Sequence, residues 1–215
     1  MILISEFMND DAVARLRADF EVHYDATLVD DTQRLYAAVK TADALIVRNR
    51  TQVDAALIAN APRLRIVGRL GVGLDNIDTS ACAARAIEVI PATGANAVSV
   101  AEYVLATAML LLRGAYMSSA EVAAGHWPRT KLSQGREICG KTLGLVGFGS
   151  IGRVTARRAH DLGMRVIAYD ALLAEHDIGW REHDVERKTL AQVLADADVL
   201  SLHVPLDAQT RGLIS

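Results

Sequence analysis

Gly147, Gly149 and Gly152 stand in G-x-G-x-x-G spacing within KTLGLVGFGSIGRVTARRAHDLGMRVIAYD, residues 141–170. Each glycine has a physical task if the stretch is a strand, a tight turn and a helix. The first permits the turn, the second lets a diphosphate approach bare backbone, and the third lets helix pack close on strand. A helix starting near Ser150 would then aim unpaired N–H groups and its positive dipole end at the phosphates. Ser150 and Ile151 would supply those amides. The spacing alone is weak, because glycines at strand ends are common.

Context strengthens it. An apolar strand, LGLV, precedes the glycines, an amphipathic helix follows, and the next strand ends at Asp170. An acid about twenty residues past the first glycine is placed to hold ribose hydroxyls. It would also repel a 2′-phosphate, and no Arg stands in ALLAE behind it, so NAD is expected rather than NADP. The plainer reading of Asp170 is a turn cap.

The elements that must carry this turn alternate between short apolar strands and helices. ILISEF, EVHYDA, ADALIVRNR, LRIVGRLG and IEVIPAT read as strands, with NDDAVARLRADF and DTQRLYAAVKTA among the intervening helices. That alternation predicts a parallel, doubly wound α/β sheet. Asn96–Trp127 reads as a long helix followed by a shorter one. From Thr142 the alternation resumes, through RVIAYD, a helix near TLAQVLADA, and DVLSLHVP. LDAQTRGLIS looks like the opening of a further helix. The hinge is expected near Pro91–Asn96, giving two lobes, 1–95 and 96–215.

Bulk composition narrows the function classes. The 215 residues are 51% hydrophobic and carry a net charge of −3 without basic blocks, which argues against nucleic-acid or anionic-lipid binding. The longest apolar run, Ala97–Leu112, falls short of the ~20 residues of a bilayer span and contains Glu102. MILISEFMNDD lacks a basic start, so no signal peptide is expected, and the protein is expected in the cytoplasm. Cys82 and Cys139 are read as buried small hydrophobes, and no metal site is expected. Asp75, Asn76 and Asp78 are read as turn and capping residues.

The segments LIVRNRT, LRIVGRLGVGLDNID, GANAVSVAEYVLATAMLLLR, GKTLGLVGFGSIG, VIAYD and LHVPLDAQTRGLI occur in the order seen in one family. By these motifs the chain resembles the D-isomer-specific 2-hydroxyacid dehydrogenases, which include phosphoglycerate dehydrogenase. The resemblance runs from about Ile2 to the end of the sequence. It implies a flavodoxin-like substrate lobe and a Rossmann NAD-binding lobe, the first lacking its C-terminal helix and the second incomplete in this chain. It implies an oxidoreductase moving a hydride between NAD and a D-2-hydroxy acid or 2-keto acid. It also implies a homodimer built through the helix spanning 96–113.

Carried over by resemblance, the backbone of Leu70, Gly71, Val72 and Gly73 would hold the substrate carboxylate, with Val72 also near the nicotinamide. Arg48 would face the substrate, where its guanidinium fork suits a carboxylate, phosphate or sulfonate; the plainer reading is a surface ion pair. Arg48 and Arg69 together suggest a second anionic group on the substrate. Asn96 would lie near substrate, or simply cap the long helix. Gly147, Gly149, Ser150, Ile151, Gly152 and Asp170 would bind cofactor, and Val204 and Pro205 would flank its adenosine.

In this family the catalytic His, Glu and Arg come after the segment matching the end of this sequence. None of the six histidines (His23, His126, His160, His176, His183, His203) sits at the family's catalytic position, so no catalytic residue is assigned. Two alternatives stay open: a non-catalytic NAD- or acid-binding remnant, and a different NAD enzyme on a Rossmann fold.

Overall fold

The computed structural model of the chain describes residues 1–214, the Ala115 side chain excepted. Its Cα positions form two compact units, Met1–Ala95 with the segment from Pro205 onward, and Asn96–Val204. The sequence counts residues from 205 with the second lobe; the Cα grouping joins them to the first unit.

The first unit is built on β1 (Ile2–Ile4), β2 (Val22–Tyr24), β3 (Ala44–Val47), β4 (Ile66–Arg69) and β5 (Glu88–Pro91). All pair in parallel, in the order β2-β1-β3-β4-β5. That is the flavodoxin-like arrangement. Helices α1 (Asp10–Asp19), α2 (Thr32–Val39), α3 (Ala55–Ala59) and α4 (Thr79–Ala84) connect the strands. Short side chains start each one: Asn9, Asp31, Asp54 and Asp78 accept first-turn amides. Leu3, Val39, Leu45, Val47, Val53 and Val67 are fully buried in its core. Pro91 is accommodated because β5 is an edge strand, where a missing N–H costs no ladder bond.

The second unit opens with α5 (Ala97–Arg113), whose Ala97, Ala101, Leu105, Ala108 and Leu112 form one buried stripe. Gly114, at φ +66°, ends it in the left-handed conformation. Two short helices, α6 (Ser119–Ala123) and α7 (Arg129–Leu132), follow. Then come β6 (Thr142–Val146), α8 (Ser150–Asp161), β7 (Arg165–Tyr169), α9 (Ile178–Glu182), β8 (Glu186–Arg187), α10 (Leu190–Asp196) and β9 (Val199–Leu202). The parallel order β8-β7-β6-β9 matches four of the six strands of a Rossmann sheet. Glu102, the charge within the apolar run, meets Arg158 of α8 at 3.0 Å and ties α5 to the helix it packs on.

Parallel pairing sends every chain segment that leaves a strand out at the same edge of its sheet. Residues 48–51 and 70–73 therefore share one edge of the first unit, and 147–149, 170–173 and 203–204 one edge of the second. These are the edges where α/β sheets bind ligands.

Two expectations need correction. The segment after Pro205 is a turn rather than an opening helix. Asp207 accepts the amides of Gln209 and Thr210, and Gly212, at φ +70°, stops the chain from continuing. Cys139 is exposed, whereas Cys82 is buried. Strand β8 and helix α9 have no counterpart in the sequence reading, because each is too short for its periodicity to register. Among the described residues no single helix is long and apolar enough to cross a membrane.

Candidate functional site

In the second unit the chain leaves β6 through Gly147, at φ +99°, hard against the carbonyl of His203; a Cβ there would collide with it. A Cβ on Gly152 would lie 2.6 Å from the Gly147 carbonyl, so the third glycine sets how closely α8 approaches the strand. Gly149 differs. A Cβ there would meet nothing within 4 Å, so the protein's own packing does not demand glycine. The open space lies directly over the start of α8.

That start is not capped. Gly149 has no side chain to offer, and the first helical bond is Arg153 N–H to the Gly149 carbonyl at 3.0 Å. The amides of Gly149, Ser150, Ile151 and Gly152 have no acceptor among the described residues. Four adjacent donors with nothing to bind are costly unless an external anion or water satisfies them. With the helix dipole behind them they suit a phosphate. The residues present fit a dinucleotide diphosphate.

Asp170 follows β7 and does two things. Its Oδ1 accepts Leu172 N–H at 2.8 Å and Leu173 N–H at 3.0 Å, the turn-capping role. Its Oδ2 accepts Phe148 N–H at 2.8 Å and so pins the glycine turn itself. Three of the roughly four acceptor sites of a carboxylate are thereby used, leaving room on Oδ2 for one ribose hydroxyl. Half-buried Val204 flanks Gly147; Pro205 is exposed and falls in the other unit. Burial lowers the pKa of His203, whose Nε2 lies 3.1 Å from Ser201 Oγ, as befits a packing residue.

In the first unit the organising group is one that the sequence reading overlooks. Glu6, 4% exposed, follows β1, and its carboxylate accepts the backbone amides of Arg48, Asn49, Arg50 and Thr51 at 2.8, 3.2, 3.0 and 2.9 Å. Burial alone would raise its pKa, but these amide bonds outweigh burial and hold it below the usual carboxylate value. Ser5 Oγ and Thr51 Oγ1, 3.0 Å apart, close the same loop.

Asn76 continues the network. It is buried, donates to the Thr51 carbonyl at 2.8 Å and accepts from Arg69 Nε at 3.2 Å. Asp78 is the α4 cap expected of it, but Asn76 joins two loops. Arg69 is turned under Gly71, where any side chain would strike its guanidinium. Arg69 thus braces this loop through its Nε. Arg48 itself is exposed, and its guanidinium has no partner among the described residues. It lines a pocket of about 320 Å³ with Phe7, Met8, Asn9, Ala12 and Leu70.

The loop after β4 is partly committed as well. Leu70 N–H donates to the Val47 carbonyl and Gly71 N–H to the Arg69 carbonyl, leaving the amides of Val72 and Gly73 open among the described residues. Asn96 begins α5, yet its side chain makes no capping bond. An acid at the end of the apolar run ILIS was the signal for Glu6; nothing local marks Asn76 as more than a turn residue.

Two family models match this chain. The catalytic domain of the D-isomer specific 2-hydroxyacid dehydrogenases matches residues 2–126, and the NAD binding domain of the same family residues 105–215. The (S)-sulfolactate dehydrogenase of Chromohalobacter salexigens is 56% identical over 214 residues, covering 99% of this chain and 68% of that protein. The D-3-phosphoglycerate dehydrogenase of Mycobacterium leprae is 41% identical over 216 residues, but the chain covers 40% of its length. Among solved structures, the D-lactate dehydrogenase of Aquifex aeolicus complexed with NAD and lactic acid superposes with a TM-score of 0.83 at 26% identity. That match covers 98% of this chain and 62% of the other.

Replacing Glu6 by Gln should destabilise the protein by roughly 2–4 kcal/mol at pH 7, since an amide NH₂ would face backbone donors. Because the folded pKa is lowered, the carboxylate's contribution is complete above its unfolded value and fades as pH falls through the folded value. Denaturant unfolding of both proteins from pH 7 to pH 3 should therefore show the gap narrowing in acid. A gap below 1 kcal/mol at pH 7, or one that does not change with pH, would contradict the assignment.

Proposed function

The chain belongs to the D-isomer specific 2-hydroxyacid dehydrogenase family, and from that membership we propose that it serves hydride exchange between NAD and C2 of a 2-hydroxy acid bearing a second anionic group. The observation that carries the reading is the row of four open amides, Gly149 to Gly152, where the NAD binding domain model matches. When bound, NAD supplies the hydride acceptor at nicotinamide C4. The chain's residues bind and orient: the amides of Ser150 and Ile151 take diphosphate charge, and Asp170 takes a ribose hydroxyl and repels a 2′-phosphate. Val204 flanks the adenosine.

For the acid, the open amides of Val72 and Gly73 receive the carboxylate, and Leu70 and Gly71 shape their loop. Arg48 receives the second anion. A sulfonate is the favoured partner, because the relative at 56% identity is a sulfolactate dehydrogenase. Its (S) label agrees with a D-specific family. Sulfur on C3 outranks the carboxylate oxygens, so the sulfonated methylene takes priority over the carboxylate and (S)-sulfolactate has the same spatial arrangement as (R)-lactate.

Calorimetry in the presence of NADH should compare binding of the keto acids of sulfolactate, phosphoglycerate and lactate. The expected order places the sulfonate or phosphate ligand first. Arg48→Met should weaken its binding about tenfold or more while barely changing that of pyruvate. A wild-type preference for pyruvate, or equal affinity for NADPH and NADH, contradicts the proposal.

We further propose that two copies pair through α5 in the cytoplasm. Val98, Tyr103 and Leu111 are 47%, 71% and 69% exposed outside the buried stripe of α5. Sedimentation should give a dimer for the wild type and a monomer for Leu111→Glu. A monomeric wild type contradicts it.

A further inference from the structure

Phe148, between the first two glycines, is held by side chains on every side. Its N–H goes to Asp170 and its carbonyl accepts Arg153 Nε at 3.2 Å. Its ring is fully buried, stacked on Trp180 at 4.8 Å and 9°, and lies 5.4 Å from the Arg153 guanidinium carbon. Trp180 is anchored in turn by its indole N–H on the Ala174 carbonyl at 2.9 Å. Arg153 Nη2 reaches Asp177 Oδ1 at 3.2 Å, and the same oxygen caps α9 through Gly179 N–H at 2.8 Å. Gly179 has no side chain to obstruct this; a Cβ would run into the guanidinium.

The first amides of any α-helix lack an intrahelical acceptor, so what the protein can control is where the turn before α8 points them. We infer that Arg153 is a positioning residue for the diphosphate site: by bridging the Phe148 carbonyl and Asp177 it fixes the glycine turn from which the Gly149–Gly152 amides enter α8. This rests on the nucleotide-binding reading above. The geometry needs the guanidinium fork, one nitrogen on the carbonyl, another on Asp177 and a flat face over Phe148, which a lysine ammonium cannot reproduce.

The test compares calorimetric dissociation constants for adenosine, ADP and NAD across the wild type, Arg153→Lys, Asp177→Asn and the double variant. Lysine keeps the charge, and asparagine still caps α9. Arg153→Lys is expected to weaken ADP and NAD by about tenfold, ~1.4 kcal/mol, and adenosine by less than about threefold. Its unfolding midpoint should stay within a few degrees of the wild type's. Asp177→Asn should show the same ligand pattern, and the double variant should be no worse than Arg153→Lys, because both act through one contact. ADP and NAD binding unchanged in both single variants would overturn the inference, leaving simple charge attraction. Equal loss for adenosine and ADP would overturn it too, leaving a merely structural role. A wild type that binds none of the three ligands instead removes the nucleotide reading, and the inference with it.

Discussion

Backbone N–H groups in a folded chain must find an acceptor, and this protein meets that requirement in two opposite ways. In the first unit, four consecutive amides after β3 close on the Glu6 carboxylate, so the chain supplies its own anion. In the second, four consecutive amides at the start of α8 are offered none. The first arrangement makes a rigid loop; the second leaves a row of donors at the head of a helix, suited to an anion. Everything proposed about cofactor use depends on that contrast.

The two carboxylates near these amides divide the labour differently. Glu6 is buried and fully engaged, so its role ends at positioning Arg48 and, through Asn76 and Arg69, the loop that follows β4. Asp170 is half-buried and grips the turn by one amide while keeping an acceptor free. A group that both holds the turn and reads the ribose couples turn geometry to cofactor choice. Changing Asp170 to admit a 2′-phosphate would also loosen the glycine turn.

The parts legible in the sequence were those with a period or a fixed spacing. Strand–helix alternation gave both parallel sheets, the apolar stripe gave α5, and the glycine spacing with Asp170 gave the turn. Less legible were groups whose role depends on distant partners. Glu6 meets its loop more than forty residues away, and nothing local shows that Arg69 reaches Asn76. Arg153 carries no signal of its own, because nothing local shows that Phe148 offers it a carbonyl. The final turn misled for a local reason: Asp207 makes the hydrogen bonds of a helix cap, but Gly212 ends the segment after one turn.

The central claim concerns particular atoms, so the most direct measurement observes them individually. In a ¹H–¹⁵N correlation spectrum titrated with NAD, the amide resonances of Gly149, Ser150, Ile151 and Gly152 should shift together and saturate at one common dissociation constant. The four Glu6-bound amides, Arg48 to Thr51, should keep the protection from solvent exchange that they have without ligand. Saturable shifts elsewhere in the protein, with residues 149–152 unmoved, would contradict the account.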